Sequence, residues 1–218
     1  LVPSEMFLSK AHNKFPLADL KQALSELLTS KLLDASWKGE FIINGDGKID
    51  WKNLDKNPIR EFPVRDHNNI EGCWEIFQMP VYVNDSIPYG RYAASLDPVD
   101  DDDNTDKTRS LQSCFIMDLF TDTIVAEYTG RTQFAKDFYE QVRRAMIYYN
   151  CKLLYENNKK GVFAYFDQKN SLHLLEDTPE MLKDMDMQKL VAIGNKSKGV
   201  YMNEALINFG IDLYSQWL

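Results

Sequence analysis

The clearest strand ending in this chain is the segment Lys152-Leu153-Leu154-Tyr155-Glu156-Asn157-Asn158-Lys159-Lys160-Gly161. Its apolar run, Leu153 to Tyr155, is short enough for a buried strand. Two asparagines and Gly161 follow the run, and these residue types stop a strand in a turn. Glu156 is therefore predicted at the end of a strand, with its carboxylate at the edge of a sheet.

A second carboxylate has the same setting earlier in the chain. Asp97 ends the apolar or small run Tyr92-Ala93-Ala94-Ser95-Leu96, and Pro98 removes the next backbone donor. If the two strands are parallel neighbours, their ends lie about 4.8 Å apart. Asp97 and Glu156 can then share a hard divalent cation, and carboxylate oxygens suit Mg²⁺ or Mn²⁺.

The order of predicted elements around these carboxylates resembles the nuclease domain of viral large terminase subunits, as found in tailed bacteriophages. That domain is an RNase H-like fold that cuts concatemeric DNA during capsid packaging. The resemblance runs from Tyr89 to about Pro179. Its features, in order, are a first strand ending in Asp-Pro, a strand at Leu111 to Asp118, a hairpin return at Thr123 to Tyr128, a Thr-Gly-Arg entry to a long helix ending in Tyr148-Tyr149-Asn150, and the Glu-Asn-Asn-x-x-Gly turn. The fold class it implies is α/β, an RNase H-like mixed β-sheet flanked by helices.

The function implied by this resemblance is a metal-dependent endonuclease that cuts double-stranded viral DNA during genome packaging. Two Mg²⁺ or Mn²⁺ ions hydrolyse the phosphodiester in such sites. Asp97 and Glu156 take the places of catalytic, metal-binding carboxylates. The family has another acidic residue shortly after the first, and Asp103 is the candidate here. Lys159 and Lys160 are candidates for contacts to DNA phosphates, with a solvated pair of loop lysines as the alternative.

The family's third carboxylate, on a helix in a Phe-Asp-Arg or Asp-Asp segment, has no counterpart in this sequence. Asp212 lies on a predicted helix, but its neighbours resemble an earlier helix of the family. We therefore expect the third ligand beyond Leu218. The predicted domains are an N-terminal linker subdomain at 1–88 and an RNase H-like nuclease domain at 89–218, truncated at its C-terminus.

The partners implied by the resemblance are double-stranded DNA, the terminase ATPase domain, the small terminase subunit and the portal, in the cytoplasm of an infected host cell. The ATPase phosphate loop, G-x-x-x-x-G-K-[ST], does not occur in the sequence. A net charge of −8 argues against avid DNA binding by this chain alone and predicts a chiefly monomeric domain.

Composition agrees with a soluble intracellular protein. The 218 residues are 44% hydrophobic, enough for one sizeable core. No apolar run approaches the ~20 residues needed to cross a bilayer. The cysteines, which lie apart in apolar contexts, are predicted to be free thiols: Cys73, Cys114 and Cys151.

Periodicity predicts the remaining elements. They are an amphipathic helix at 17–33, a hairpin at 41–51, an extended piece at 71–83, helices at 131–150, 162–168 and 203–218, and a fifth strand at 172–175. The acidic run 100–106 either contributes to the metal site or is a solvated loop.

Two alternative functions stay open at this stage. One is another RNase H-like nuclease of the resolvase or transposase type. The other is a non-catalytic module that docks on the portal or the motor.

Overall fold

The computed structural model of the chain describes residues 36–60, 64, 70–99, 110–183 and 198–217. The strands are β1 (Trp37–Ile43), β2 (Ile49–Asn53), β3 (Trp74–Ile76), β4 (Tyr92–Asp97), β5 (Gln112–Asp118), β6 (Thr123–Gly130) and β7 (Lys152–Tyr155). The α-helices are α1 (Ala135–Tyr149), α2 (Gly161–Gln168), α3 (Glu180–Lys183) and α4 (Glu204–Trp217). The predicted helix at 17–33 and the acidic run 100–106, with Asp103, lie outside the described residues.

The strands form one mixed sheet in the order β2-β1-β3-β6-β5-β4-β7. β4 and β7 are parallel, whereas the other paired strands are antiparallel. Between β4 and β7 the chain makes the antiparallel excursion β5–β6 and then returns through α1. A parallel pair needs a long crossover of this kind, usually a helix. The predicted α/β class, with a mixed sheet flanked by helices, is confirmed.

The helix side of the sheet carries the hydrophobic core. Alternate strand residues point to this side, including Trp74, Ile116 and Leu153, each fully buried. α1 meets them with residues at helical spacing, such as Phe138 and Val142, and α2 adds further apolar side chains to the same core. The apolar faces of the strands and of the helices pack against each other, and this packing stabilises the positions of β4 and β7.

The N-terminal strands extend this sheet because β3 pairs with β6. β1 is longer than β3 and pairs with it only at residues 37–39. Beyond that point, the side chain of Gln141 on α1 is a hydrogen-bond partner of the Phe41 backbone. The Gln141 amide accepts a hydrogen bond from the Phe41 N–H at 2.9 Å and donates one to the Phe41 carbonyl at 3.1 Å. The domain boundary at residue 88 stays a prediction, with strands on both sides of it sharing one sheet.

The helix predictions at 131–150, 162–168 and 203–218 are confirmed as α1, α2 and α4, although the ends of α1 and α4 and the start of α2 are shifted. The hairpin at 41–51 is confirmed as β1–β2. The extended prediction at 71–83 holds only for β3. Beyond Ile76, the amides of Phe77 and Gln78 both donate to the carbonyl of Val125, which interrupts the regular ladder.

The fifth strand predicted at 172–175 is wrong. A 3₁₀ helix occupies Leu172–Leu174, and only Leu175 reaches the sheet, in a single parallel bridge to Leu153. The physical reason lies just before it: Asn170 has a left-handed backbone, φ 51°, which turns the chain sharply after α2. The amides of Leu174 and Leu175 then bond three residues back, in the 3₁₀ pattern.

No helix among the described residues is both long and apolar enough to cross a membrane.

Candidate functional site

The two carboxylates singled out in the sequence lie at the same end of two paired strands. Asp97 is the last residue of β4, and Glu156 comes directly after β7. The parallel register pairs Leu96 with Tyr155, so Asp97 and Glu156 are the next residues along each strand. The Glu156 N–H donates to the Leu96 carbonyl at 3.3 Å, which continues the pairing past the end of β7.

The two carboxyl groups of this pair both have raised pKa values. Burial raises the pKa of Glu156, and the nearby charge of Asp97 raises it further. The Asp97 side chain reaches solvent, yet the surrounding chain desolvates its carboxylate enough to raise its pKa. Lys159 opposes both shifts. A bound divalent cation would relieve this repulsion, since opposite charge favours the ionised form.

The turn after Glu156 is held by a segment that the sequence did not single out, residues 198–202. Val200 donates its N–H to the Tyr155 carbonyl at 2.9 Å, and the Asn157 N–H donates to the Val200 carbonyl at 2.9 Å. Glu156 and Val200 form an isolated parallel bridge. Glu156 thus has β4 on one side and Val200 on the other.

Lys159 and Lys160 occupy different positions in this turn. Lys159 is exposed and lies within electrostatic range of both carboxylates. Lys160 is the N-cap residue of α2, and its carbonyl accepts the Ala164 N–H at 3.1 Å. Lys159 is therefore the better placed of the two to meet an anion beside the carboxylates.

A row of polar residues crosses the sheet from Asp97, on the face opposite α1. Asp97 pairs with Ser113 on β5, which pairs with Thr129 on β6. The hydroxyls of Ser113 and Thr129 lie 3.3 Å apart, and Thr129 donates to Glu127 Oε1 at 2.9 Å. This row places hydroxyl groups on the strand next to the carboxylate pair.

Two glutamates farther along this face escaped the sequence reasoning. Glu75 on β3 lies directly opposite Glu127 on β6. Glu75 is only 2% exposed and is satisfied by a hydrogen bond from Ser36 and an ion pair with Arg60. Burial raises the pKa of Glu127. In the sequence, each of these glutamates lies between two apolar residues. This alternation predicts a strand, but it is equally typical of a strand whose glutamate side faces solvent.

No group of three or more His, Cys, Asp or Glu side chains suited to a metal ion occurs among the residues that the structure describes. The site there consists of two carboxylates, and Asp103 lies outside the described ranges. Two neighbouring carboxylates can hold a hard cation that keeps most of its water ligands. Asp212 falls on α4 and is not part of a described metal group.

The described residues also line a cavity of about 440 Å³ away from this pair. Its wall comes from the β1–β2 hairpin, α1 and the loop around Tyr82, and includes neither Asp97 nor Glu156. The candidate carboxylate pair therefore lies outside this cavity.

Comparison of the chain with protein-family models, with curated proteins and with solved structures finds no match.

Proposed function

We propose that this chain is the nuclease domain of a viral large terminase subunit, in which Asp97 and Glu156 bind Mg²⁺ or Mn²⁺ to cut double-stranded DNA. The observation that carries this proposal is the parallel pairing of β4 with β7. It places two carboxylates that lie far apart in the sequence at the ends of adjacent strands. The sequence resemblance assigned the catalytic role to the same two residues.

The strand order supports an RNase H-like fold. From β4, the antiparallel strands β5 and β6 lie on one side, and the parallel strand β7 lies on the other after the crossover through α1. Leu175 then adds a parallel bridge beyond β7. This is the arrangement that the resemblance to terminase nucleases implies, with the first strand carrying one carboxylate and β7 leading to the other.

Hydrolysis at this site divides between metal and protein. A divalent cation held here would supply Lewis-acid activation of water and stabilisation of the phosphate charge for phosphodiester hydrolysis. Asp97 and Glu156 would supply the negative oxygens that hold the metals at one sheet edge. Lys159, exposed beside them, would attract the phosphate that these carboxylates otherwise repel.

The proposed partners follow from this role. The substrate is double-stranded DNA, and the terminase ATPase domain, the small subunit and the portal complete the assembly in the infected host cell. With a net charge of −8, this chain is expected to leave most of the DNA affinity to the ATPase domain.

The test is nicking of supercoiled plasmid by this protein at high protein and Mn²⁺ concentration. The wild-type protein should nick the plasmid, whereas Asp97→Asn and Glu156→Gln should not, because each removes a metal ligand of the pair. The matched control is Asp122→Asn, which neutralises an aspartate in the β5–β6 turn. Asp122 already has a left-handed backbone, φ 53°, that asparagine tolerates.

Three results would count against the proposal. If Glu156→Gln nicks plasmid as fast as wild type, Glu156 is not a residue of the catalytic site. Preference for four-way junctions over linear plasmid favours a resolvase-type nuclease. No nicking by the wild-type protein favours a non-catalytic docking module.

A further inference from the structure

The backbone around Glu156 is bonded to its neighbours from both sides. Toward β4, the Glu156 N–H donates to the Leu96 carbonyl. Toward the segment 198–202, the flanking Tyr155 carbonyl and Asn157 N–H both bond to Val200 at 2.9 Å. A carboxylate that follows the last residue of a short strand would otherwise be free to fray with the turn.

Side chains of the turn reinforce this contact. Asn157 Nδ2 donates to the Lys198 carbonyl at 3.0 Å. Asn158 makes two bonds to Met202: its Nδ2 donates to the Met202 carbonyl at 2.8 Å, and its Oδ1 accepts the Met202 N–H at 2.9 Å. The side-chain amide of asparagine has the donor and the acceptor that this backbone pairing needs, whereas an ionised aspartate only accepts.

Gly199 shows how closely the segment passes β7. Its φ is +74°, and a Cβ at this position would lie 2.7 Å from both the carbonyl oxygen and a ring carbon of Tyr155. Real Cβ atoms do not come this close to backbone, so only glycine fits there without a shift of the chain. The close approach allows Val200 to bond on the far side of Glu156.

The same contact sets the start of α4. Asn203 Oδ1 accepts the Leu206 N–H at 2.9 Å, as a capping residue does. Asn203 directly follows Met202, which Asn158 holds. The two turn asparagines therefore connect the end of β7 to the beginning of the last described helix.

We infer that Asn157 and Asn158 are positioning residues for the metal site, which hold Glu156 beside Asp97 by fastening the turn to residues 198–202. This inference rests on the proposed metal-binding role of the carboxylate pair. Neither asparagine needs to touch the metal. Residues that orient metal ligands typically change metal affinity about 10–100-fold when they are mutated.

The experiment measures Mn²⁺ affinity from the electron paramagnetic resonance signal of free Mn²⁺, in the same chain, for wild type and three variants. Asn158→Ala removes both bonds to Met202 and should weaken binding about tenfold or more. Asn157→Ala removes one side-chain bond and keeps the backbone bond to Val200, so a smaller loss is expected. Thermal unfolding of each variant reports whether it is folded.

The matched control is Asn44→Ala in the β1–β2 turn. Asn44 Oδ1 accepts the N–H groups of Asp46 and Lys48 at 3.0 and 2.9 Å, so this variant also loses two side chain to backbone bonds. β2 forms the sheet edge opposite β7. Its Mn²⁺ affinity should equal that of wild type even if its stability falls as much as that of Asn158→Ala.

The outcomes separate this inference from the function on which it rests. If wild type binds Mn²⁺ and the folded Asn158→Ala variant binds it equally well, the positioning role is overturned and the metal site stands. If Asn158→Ala does not fold, the Mn²⁺ affinity of Asn157→Ala is compared with that of wild type instead, and equal affinities overturn the positioning role. If wild type binds no Mn²⁺, the metal site and this inference both fail.

Discussion

Arg91 donates two hydrogen bonds to one oxygen of Asp118, from Nε at 2.9 Å and from Nη2 at 2.7 Å. The other carboxylate oxygen of Asp118 accepts the Phe120 N–H at 2.9 Å, and the side chain is fully buried. Asp118 pairs with Tyr92 at the beginning of β4. This ion pair therefore closes the β4–β5 pairing at the end of the strands opposite Asp97.

Arg91→Ala should lower the free energy of unfolding by about 3–5 kcal/mol, because it leaves a buried carboxylate without its partner. Urea unfolding measures the change. The control is Lys52→Ala, which breaks an exposed ion pair with Glu40 and should cost less than about 1 kcal/mol. If both variants lose the same free energy of unfolding, the buried ion pair stabilises the protein no more than the exposed one does.

Glu140→Gln should destabilise the protein at neutral pH far more than in acid. Burial alone would raise the pKa of Glu140, but hydrogen bonds from Arg143, Arg144 and Tyr165 lower it to about 2. A lowered pKa contributes stability that is present above the unfolded-state value, about 4.3, and is lost as the pH falls toward 2. The expected loss is about 1–3 kcal/mol at pH 7.

The measurement for Glu140 is thermal unfolding of both proteins between pH 7 and pH 2.5. The difference between wild type and Glu140→Gln should shrink steadily over this range. A constant difference would contradict a pKa lowered by the two arginines.

Asp97→Asn should raise the melting temperature of the metal-free protein at pH 7. The raised pKa of Asp97 means that its charge opposes folding above the folded-state pKa. This cost disappears as the pH falls below the unfolded-state value of about 3.9. The gain should stay under about 1 kcal/mol because the side chain reaches solvent.

Mn²⁺ should reverse the order of these two proteins. A cation that binds the folded state raises the melting temperature of wild type, whereas Asp97→Asn has lost a ligand. Identical responses of the two proteins to Mn²⁺ would speak against the pair as a cation site.

Gly199→Ala should destabilise the protein by about 1–3 kcal/mol, through the overlap with Tyr155 and the strain of a positive φ. Gly45→Ala is the control, since nothing lies within 4 Å of its Cβ position and its φ is not in the left-handed region. Denaturant unfolding compares the two. A neutral Gly199→Ala variant would mean that residues 198–202 are not held against β7.

Plasmid cleavage by the protein should fall steeply with salt and show little sequence preference. Phosphate contacts and metal, not base contacts, would provide the affinity of such a site. Sequencing of cut ends and nicking rates between about 50 and 200 mM salt test this. A sharp consensus at the ends would contradict it.

Local sequence pattern was sufficient to predict the strand endings at Asp97 and Glu156 and the helix α1. Apolar residues alternate or recur at helical spacing in these segments, and proline, asparagine and glycine stop them. Such signals depend on a few neighbouring residues, so they are visible without the fold. The same local reasoning failed at 172–175. There the chain turns at Asn170, and the apolar residues that follow form a 3₁₀ helix instead of a strand.

Only the tertiary structure decided which strands are neighbours. The parallel register of β4 and β7 brings Asp97 beside Glu156, and the return of residues 198–202 gives Asn157 and Asn158 their partners. Glu75 and Glu127 likewise face each other only because β3 pairs with β6. These contacts join residues far apart in the chain, and their free energy comes from burying one sheet face under α1, which no short stretch of sequence encodes alone.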